Sequence, residues 1–328
     1  MSRSMWVRFL FGRAIWVAFL IYTISLLVFW MMMSAGDPAA AIAGPRASAE
    51  AIENVRIQYG LNAPIIVQHA RYLTSFFQGD LGVSLSLYRG QPVWDLLVPR
   101  MRISFQLGIA SMLISFGIGI PLGTLAAISH VPWLMPFGGK GRKLFDTPLV
   151  ATMLVPHAIP ALISVPALMF ALVIWKRWLP ASGWEGLFSK HAIIPVLALS
   201  LGGIVGVAML VRASILHNLE ENYVVMARAK GVSTPRIVTG HILRNSLLPL
   251  VTGLQGILLL FLGGSYFVEL LYGIPGMQVM LLRAIAARDF AVHLPVVLLT
   301  VIFFIVNVTL VDIAYTKIDP RVTLQGRK

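Results

Sequence analysis

The sequence predicts an all-α integral membrane protein with six transmembrane helices and an extracytoplasmic segment between the first and second. Three observations carry that expectation. Of 328 residues, 58% are hydrophobic and 12% charged, with a mean hydropathy of +0.82, whereas soluble domains carry about 25% charged residues. Six stretches hold no Asp, Glu, Lys or Arg: 14–36, 103–139, 147–175, 191–211, 245–268 and 290–311. The formal charge of +13 is biased towards alternate loops, as in membrane chains that keep Lys and Arg on the cytoplasmic side.

Each stretch accommodates a helix of about 20 residues, enough to cross roughly 30 Å of hydrocarbon. The first follows Arg3, Arg8 and Arg13 and precedes Ala41-Ile42-Ala43, which resembles a secretory signal. However, its apolar run exceeds the roughly 7 to 15 residues of a signal core, and an uncleaved first helix is expected. The second ends in a run rich in Pro and Gly, 129–139, which leaves one crossing and an interfacial loop. Placing the N-terminus inside puts Arg3, Arg8, Arg13, Lys140, Arg142, Lys143, Arg212, Arg228, Lys230, Arg236, Arg244, Lys317, Arg321, Arg327 and Lys328 on the cytoplasmic side. That is more than half of the 26 basic residues, so both termini are expected in the cytoplasm. The expected organisation is 1–33 for the N-terminus and first helix, 34–100 for an extracytoplasmic segment with its own apolar helical stretches, and 101–328 for a core of five helices.

Function classes narrow quickly. There is no cysteine, which excludes disulfides, thiolate metal sites and cysteine nucleophiles. Gly138-Gly139-Lys140-Gly141 does not match a phosphate-binding loop, and the seven histidines show no metalloprotease spacing. No catalytic residue, metal site or cofactor is expected on this chain, and its basic charge belongs to membrane loops rather than to nucleic acid. Intramembrane polar groups mark candidate pathway residues: His157, between Pro156 and Pro160, with Gln106, Gln255 and Asn307. The same groups serve equally as interhelical hydrogen-bonding residues, and Glu269 and Asp312, near span ends, read as structural.

The inside loop 212–248 carries the strongest local signal. Glu220 and Glu221 open a short helix, Arg228 and Lys230 close it, Gly231 suits a left-handed C′ position, and Thr234-Pro235 reads as an N-cap and N1 pair. A second helix then runs through His241, Arg244 and Asn245 to Pro249. The residues alone fit either an ordinary amphipathic connector or a presented docking helix.

Here the chain resembles the inner-membrane permeases of ABC importers, in the dipeptide, oligopeptide and nickel group. Ala227-Arg228-Ala229-Lys230-Gly231, His241, Leu243-Arg244-Asn245 and Leu247-Leu248-Pro249 are similar to that group's EAA loop. Val225 stands where the general motif has Glu. Gly79-Asp80-Leu81-Gly82-Val83-Ser84, Gly119-Ile120-Pro121-Leu122-Gly123, Pro275-Gly276-Met277, Arg288-Asp289 and Asp319-Pro320-Arg321 match the first, B-type, permease in order and spacing. The resemblance implies a MetI-like type I importer fold and a pathway for a small peptide or similar solute, with a metal or metal chelate also carried in the group. It implies four kinds of partner: a second homologous permease, two ATPases that hold ATP and Mg, an extracytoplasmic solute-binding protein, and the lipid bilayer of a bacterial inner membrane. The implied ATPase-coupling residues are Glu221, Tyr223, Ala227, Arg228, Ala229, Lys230, Gly231, His241, Arg244 and Asn245. The rival reading, an ion-coupled secondary transporter, predicts inverted repeats and intramembrane acidic pairs that the sequence does not display.

Overall fold

The computed structural model describes residues 3–34, 36–44, 46–131, 151, 159, 161–247, 249–250, 253 and 265–318. Helices dominate these residues: α1 (Arg3–Ser34), α2 (Pro38–Ala43), α3 (Ala49–Gln58), α4 (Ile65–Phe77), α5 (Val93–His130), α6 (Ala161–Met169, extended by a π turn Phe170–Trp175) and α7 (Ile193–Leu219). Then come α8 (Asn222–Ala229), α9 (Thr234–Ile237 through a π turn Val238–Ile242 into Leu243–Ser246), α10 (Ser265–Tyr272), α11 (Met277–Ala286) and α12 (Phe290–Ile318). Four helices among the described residues are long and apolar enough to span, Phe11–Ser34, Val93–Ser129, Lys190–Asn218 and Phe290–Ala314. Counting α10 with α11 raises this to as many as five. Most of 147–175 that precedes α6, and the middle of 245–268, lie outside the described residues, as do His157 and Gln255.

The chain divides into two compact units, residues 1–103 with 275–307, and residues 104–274 with 308–328. In the first, α1 buries the stripe Ile21, Ser25 and Phe29 at helical spacing, and α4 answers with His69 and Phe76. His69 Nε2 meets Ser25 Oγ at 2.8 Å, with the Tyr22 and Phe29 rings edge-on at 5.4 and 5.7 Å. Burial lowers the His69 pKa below its ordinary value, which favours the neutral ring in this aromatic setting. Asp37 caps α2 through the Ala39 N–H and receives Arg56 of α3 at 2.6 Å, an exposed pair that fixes geometry more than stability. The core joins Val93, Leu96 and Leu97 of α5 to Met280 and Ala284 of α11 and to Val292 and Val296 of α12.

The loop 79–92, which leads into α5, is organised by one acid. Asp289, fully buried, accepts bonds from the Ser84 hydroxyl (2.5 Å) and from the N–H groups of Leu85 (3.2 Å), Ser86 (3.1 Å) and Leu87 (2.9 Å). Three converging amides and a hydroxyl thus engage both carboxylate oxygens.

In the second unit α5 and α7 lie against each other and run parallel, Ser111 meeting Val196 and Ser115 meeting Ser200. Small residues recur every four positions along α5: Ser111, Ser115, Gly119 and Gly123. Ser111 Oγ reaches the Val196 carbonyl and Ser115 Oγ the Ser200 carbonyl, each at 3.3 Å. A Cβ on Gly119 would stand 2.7 Å from Val207 Cβ, and one on Gly123 would clash with the Ala208 carbonyl oxygen. Small residues thus let the two backbones approach, the usual basis of helix association in lipid. Glu269 is fully buried and accepts the Ser104 hydroxyl at 2.7 Å, a structural contact between two helices.

Candidate functional site

The elbow formed by α8 and α9 is the best-defined candidate. Glu221, extended at φ −74° and ψ 143°, occupies the N-cap of α8, while Glu220 closes α7 instead of opening the next helix. At the other end Gly231 takes φ +73°, its N–H bonds the Arg228 carbonyl (2.9 Å), and the Val232 N–H bonds the Ala227 carbonyl (3.1 Å). This pair of bonds is the Schellman motif, with Val232 and Ala227 both packed on the same core. A Cβ on Gly231 would meet open space, so its requirement is purely conformational. The next cap is Ser233 rather than Thr234, with Thr234 as the first helical residue and Pro235 one place deeper than expected. Pro235 fits there because the second helical N–H also has no intrahelical acceptor.

The elbow is two-faced. Val224, Ile237 and Ile242 are buried against Val211 and Ile215 of α7. Outward, Val225 and Met226 are 55% and 58% exposed, beside exposed Arg228, Ala229 and Lys230. His241, Arg244 and Asn245 are exposed on α9. Asn218, which stands outside every motif in the loop, fastens the unit. It accepts the Tyr223 hydroxyl at 2.7 Å, while its amide donates to Ser246 Oγ at 3.2 Å and to the Ser214 carbonyl at 2.8 Å. Tyr223 therefore acts inward, as an anchor. Ala227 is half-buried, whereas Glu221 and Arg228 to Gly231 face out. The only hint of the role of Asn218 is its position at the end of α7, five residues before a tyrosine.

The four pathway candidates are not assembled by the described residues. Gln106 is half-buried on α5 and Asn307 is 9% exposed on α12, while His157 and Gln255 lie outside the described set.

Comparison with known proteins places this geometry. Residues 119–324 match the family model for binding-protein-dependent transport system inner membrane components, and residues 6–107 match the N-terminal model of the same systems. The chain is 30% identical to the oligopeptide transport system permease protein OppB of Haemophilus influenzae, over 96% of this chain and 99% of that protein. It is 32% identical to OppB of Salmonella typhimurium, over 94% and 96%. A probable peptide ABC transporter permease of Sinorhizobium fredii, y4tP, is 31% identical over 89% and 91%. Among solved structures, an inward-facing MetNI methionine ABC transporter superposes with a TM-score of 0.56 at 19% identity, covering 68% of this chain and 96% of that one. An amino acid ABC transporter gives 0.54 at 13% identity, with 68% and 94% covered. These superpositions establish the MetI-like permease fold, and the relatives set aside the ion-coupled secondary transporter. The protein is a multi-pass inner-membrane chain, and it belongs to the family of binding-protein-dependent transport system inner membrane components, as a permease subunit of an ABC importer.

Proposed function

We propose that the chain forms, with a second homologous permease, the pathway for short peptides or closely similar solutes. In this reading an extracytoplasmic binding protein delivers the solute, and two ATPases hold and hydrolyse the ATP. End-to-end similarity to oligopeptide permeases carries the peptide reading. Competition between labelled tripeptides and free amino acids for uptake into proteoliposomes of the assembled complex tests it; uptake inhibited equally by both would refute it.

The coupling reading assigns the outward face of α8 to a groove on an ATPase. Its support is the capped, rigid helix with two exposed apolar side chains beside Arg228 and Lys230. Because Val225 replaces the acid of the general motif, the contact is apolar at that point. Gly231→Pro removes the N–H that bonds Arg228 and imposes φ near −65° where +73° is needed. The expected outcome is ATP hydrolysis near the wild-type rate with uptake reduced about tenfold or more, a loss of roughly 1.4 kcal/mol in coupling. Equal uptake would reject the docking role. Ala227→Glu should act in the same direction by placing a charge at the edge of the packed face.

The orientation proposed here puts both termini in the cytoplasm and segment 34–100 outside. Single cysteines at the exposed positions Asn62 and Arg89 should label with a membrane-impermeant maleimide on intact spheroplasts. Labelling only after lysis would invert the topology.

A further inference from the structure

Within the first unit a cavity of about 350 Å³ lies between the helices of segment 34–100 and the ends of two spans. Phe29 and Met33, in the last turns of α1, and Phe290 and Leu294, in the first turns of α12, form its apolar floor. Both helices are long enough to cross a membrane, and these residues sit at their termini. The floor therefore lies where hydrocarbon gives way to headgroups.

Arg71, Tyr72, Ser75 and Asp80 line the same cavity. Among the described residues Arg71 makes no hydrogen bond or ion pair, and the buried Tyr72 hydroxyl has no partner. The Arg71 guanidinium lies over Gly60, where a Cβ would come within 3.1 Å of Nη1, so the turn that Gly60 makes leaves room for it. Asp80 uses one carboxylate oxygen to accept the Gly82 N–H at 2.9 Å. A cation and an anion thus line one cavity without pairing with each other. That arrangement complements a zwitterion, and the span-end floor complements an acyl chain.

We infer that this cavity binds one aminophospholipid from the surrounding leaflet. Its phosphate sits on Arg71 and the Ser75 hydroxyl, its ammonium on Asp80, and the upper part of one acyl chain on Phe29, Met33 and Leu294. A peptide would also present an amine and a carboxylate, but a floor made of two membrane-spanning helices favours a lipid tail. Neither Gln106, Asn307 nor any residue of the elbow lines this cavity.

Native mass spectrometry of the full chain, purified from membranes containing phosphatidylethanolamine and phosphatidylglycerol, tests the assignment. One phosphatidylethanolamine per chain should survive delipidation. Arg71→Gln and Asp80→Asn should each lower its retention about tenfold, the scale of one lost charge-assisted contact. Arg71→Lys, which keeps the charge, should retain most of it, and Leu294→Trp, which fills the floor, should abolish it. Phosphatidylglycerol, which lacks the amine, should bind more weakly than phosphatidylethanolamine to the wild type and equally well to Asp80→Asn. Variants are compared at equal melting temperature, so that loss of lipid is not loss of fold. Equal retention by all variants, or equal binding of the two lipids to the wild type, overturns the proposal. So does release of the lipid by millimolar tripeptide, which would reassign the cavity to a peptide.

Discussion

Replacing Asp289 with Ala should destabilise the protein by about 4 kcal/mol, because bonds to a charged acceptor are each worth roughly 1.5–3 kcal/mol and water recovers only part of the loss. The substitution removes the acceptor of the Ser84 hydroxyl and of three backbone N–H groups. Loop 79–92 should then open, although the Ser86 hydroxyl still holds the Ala287 carbonyl at 2.8 Å. Limited trypsinolysis at the exposed Arg89 reads the opening directly, and thermal unfolding of the purified protein reads its cost. Asp289→Asn separates charge from shape: one oxygen still accepts, so it should fall between wild type and Ala. Melting and cleavage unchanged in Asp289→Ala would show that the cradle is incidental to the fold.

The second large effect is expected at Gly123. A side chain there meets the Ala208 carbonyl oxygen and Cα, and Val211 Cβ at 2.9 Å, so the obstruction is mainly backbone and no rotamer change relieves it. Gly123→Leu should force α5 away from α7, break the Ser111 and Ser115 bonds to carbonyls, and cost about 3 kcal/mol or more. Little folded protein should reach the membrane. At Gly117, six residues earlier, a Cβ would meet nothing within 4 Å. Gly117→Ala should therefore be neutral or stabilise by up to about 1 kcal/mol through helix propensity. Membrane-fraction yield and melting temperature of the two variants, side by side, decide the matter; equal behaviour would deny the close approach.

How much of this is readable in the sequence depends on whether a residue's chemistry names its job. Gly231 declares its turn, because a positive φ is nearly free only for glycine, and the α8 terminus is legible for that reason. Arg288 performs the same service at the end of α11, at φ 51°, with the Asp289 N–H bonded to the Ala284 carbonyl at 2.8 Å. Nothing in an arginine announces it, so the turn that aims Asp289 at the loop has no sequence signature. The spans containing α1, α5, α7 and α12 are legible because lipid demands uninterrupted apolar helix. Asn218 and Asp289 are not, since each acts through partners remote in sequence, and pairings such as Ser84 with Asp289 leave no local period. Glu269 reads as structural on cost alone, but its partner, Ser104, lies on a different helix and cannot be named without the fold.

The π turn in α9 gives the elbow an unusual phase. In an α-helix of 3.6 residues per turn, a step of four residues overshoots a full turn by about 40°. Buried Val238, Ile242 and Ser246 follow each other at steps of four, and in a uniform helix that row would wind off the core side. A wider i→i+5 turn between Val238 and Ile242 takes up part of the drift. Removing one residue there, Gly240 for example, would restore uniform winding. Because the wider turn absorbs about one residue's 100° of rotation, Arg244 and Asn245 would keep nearly the same bearing around the axis relative to Arg236. The π turn thus lets α9 carry one residue more than a uniform helix would without turning the face that bears Arg244 and Asn245.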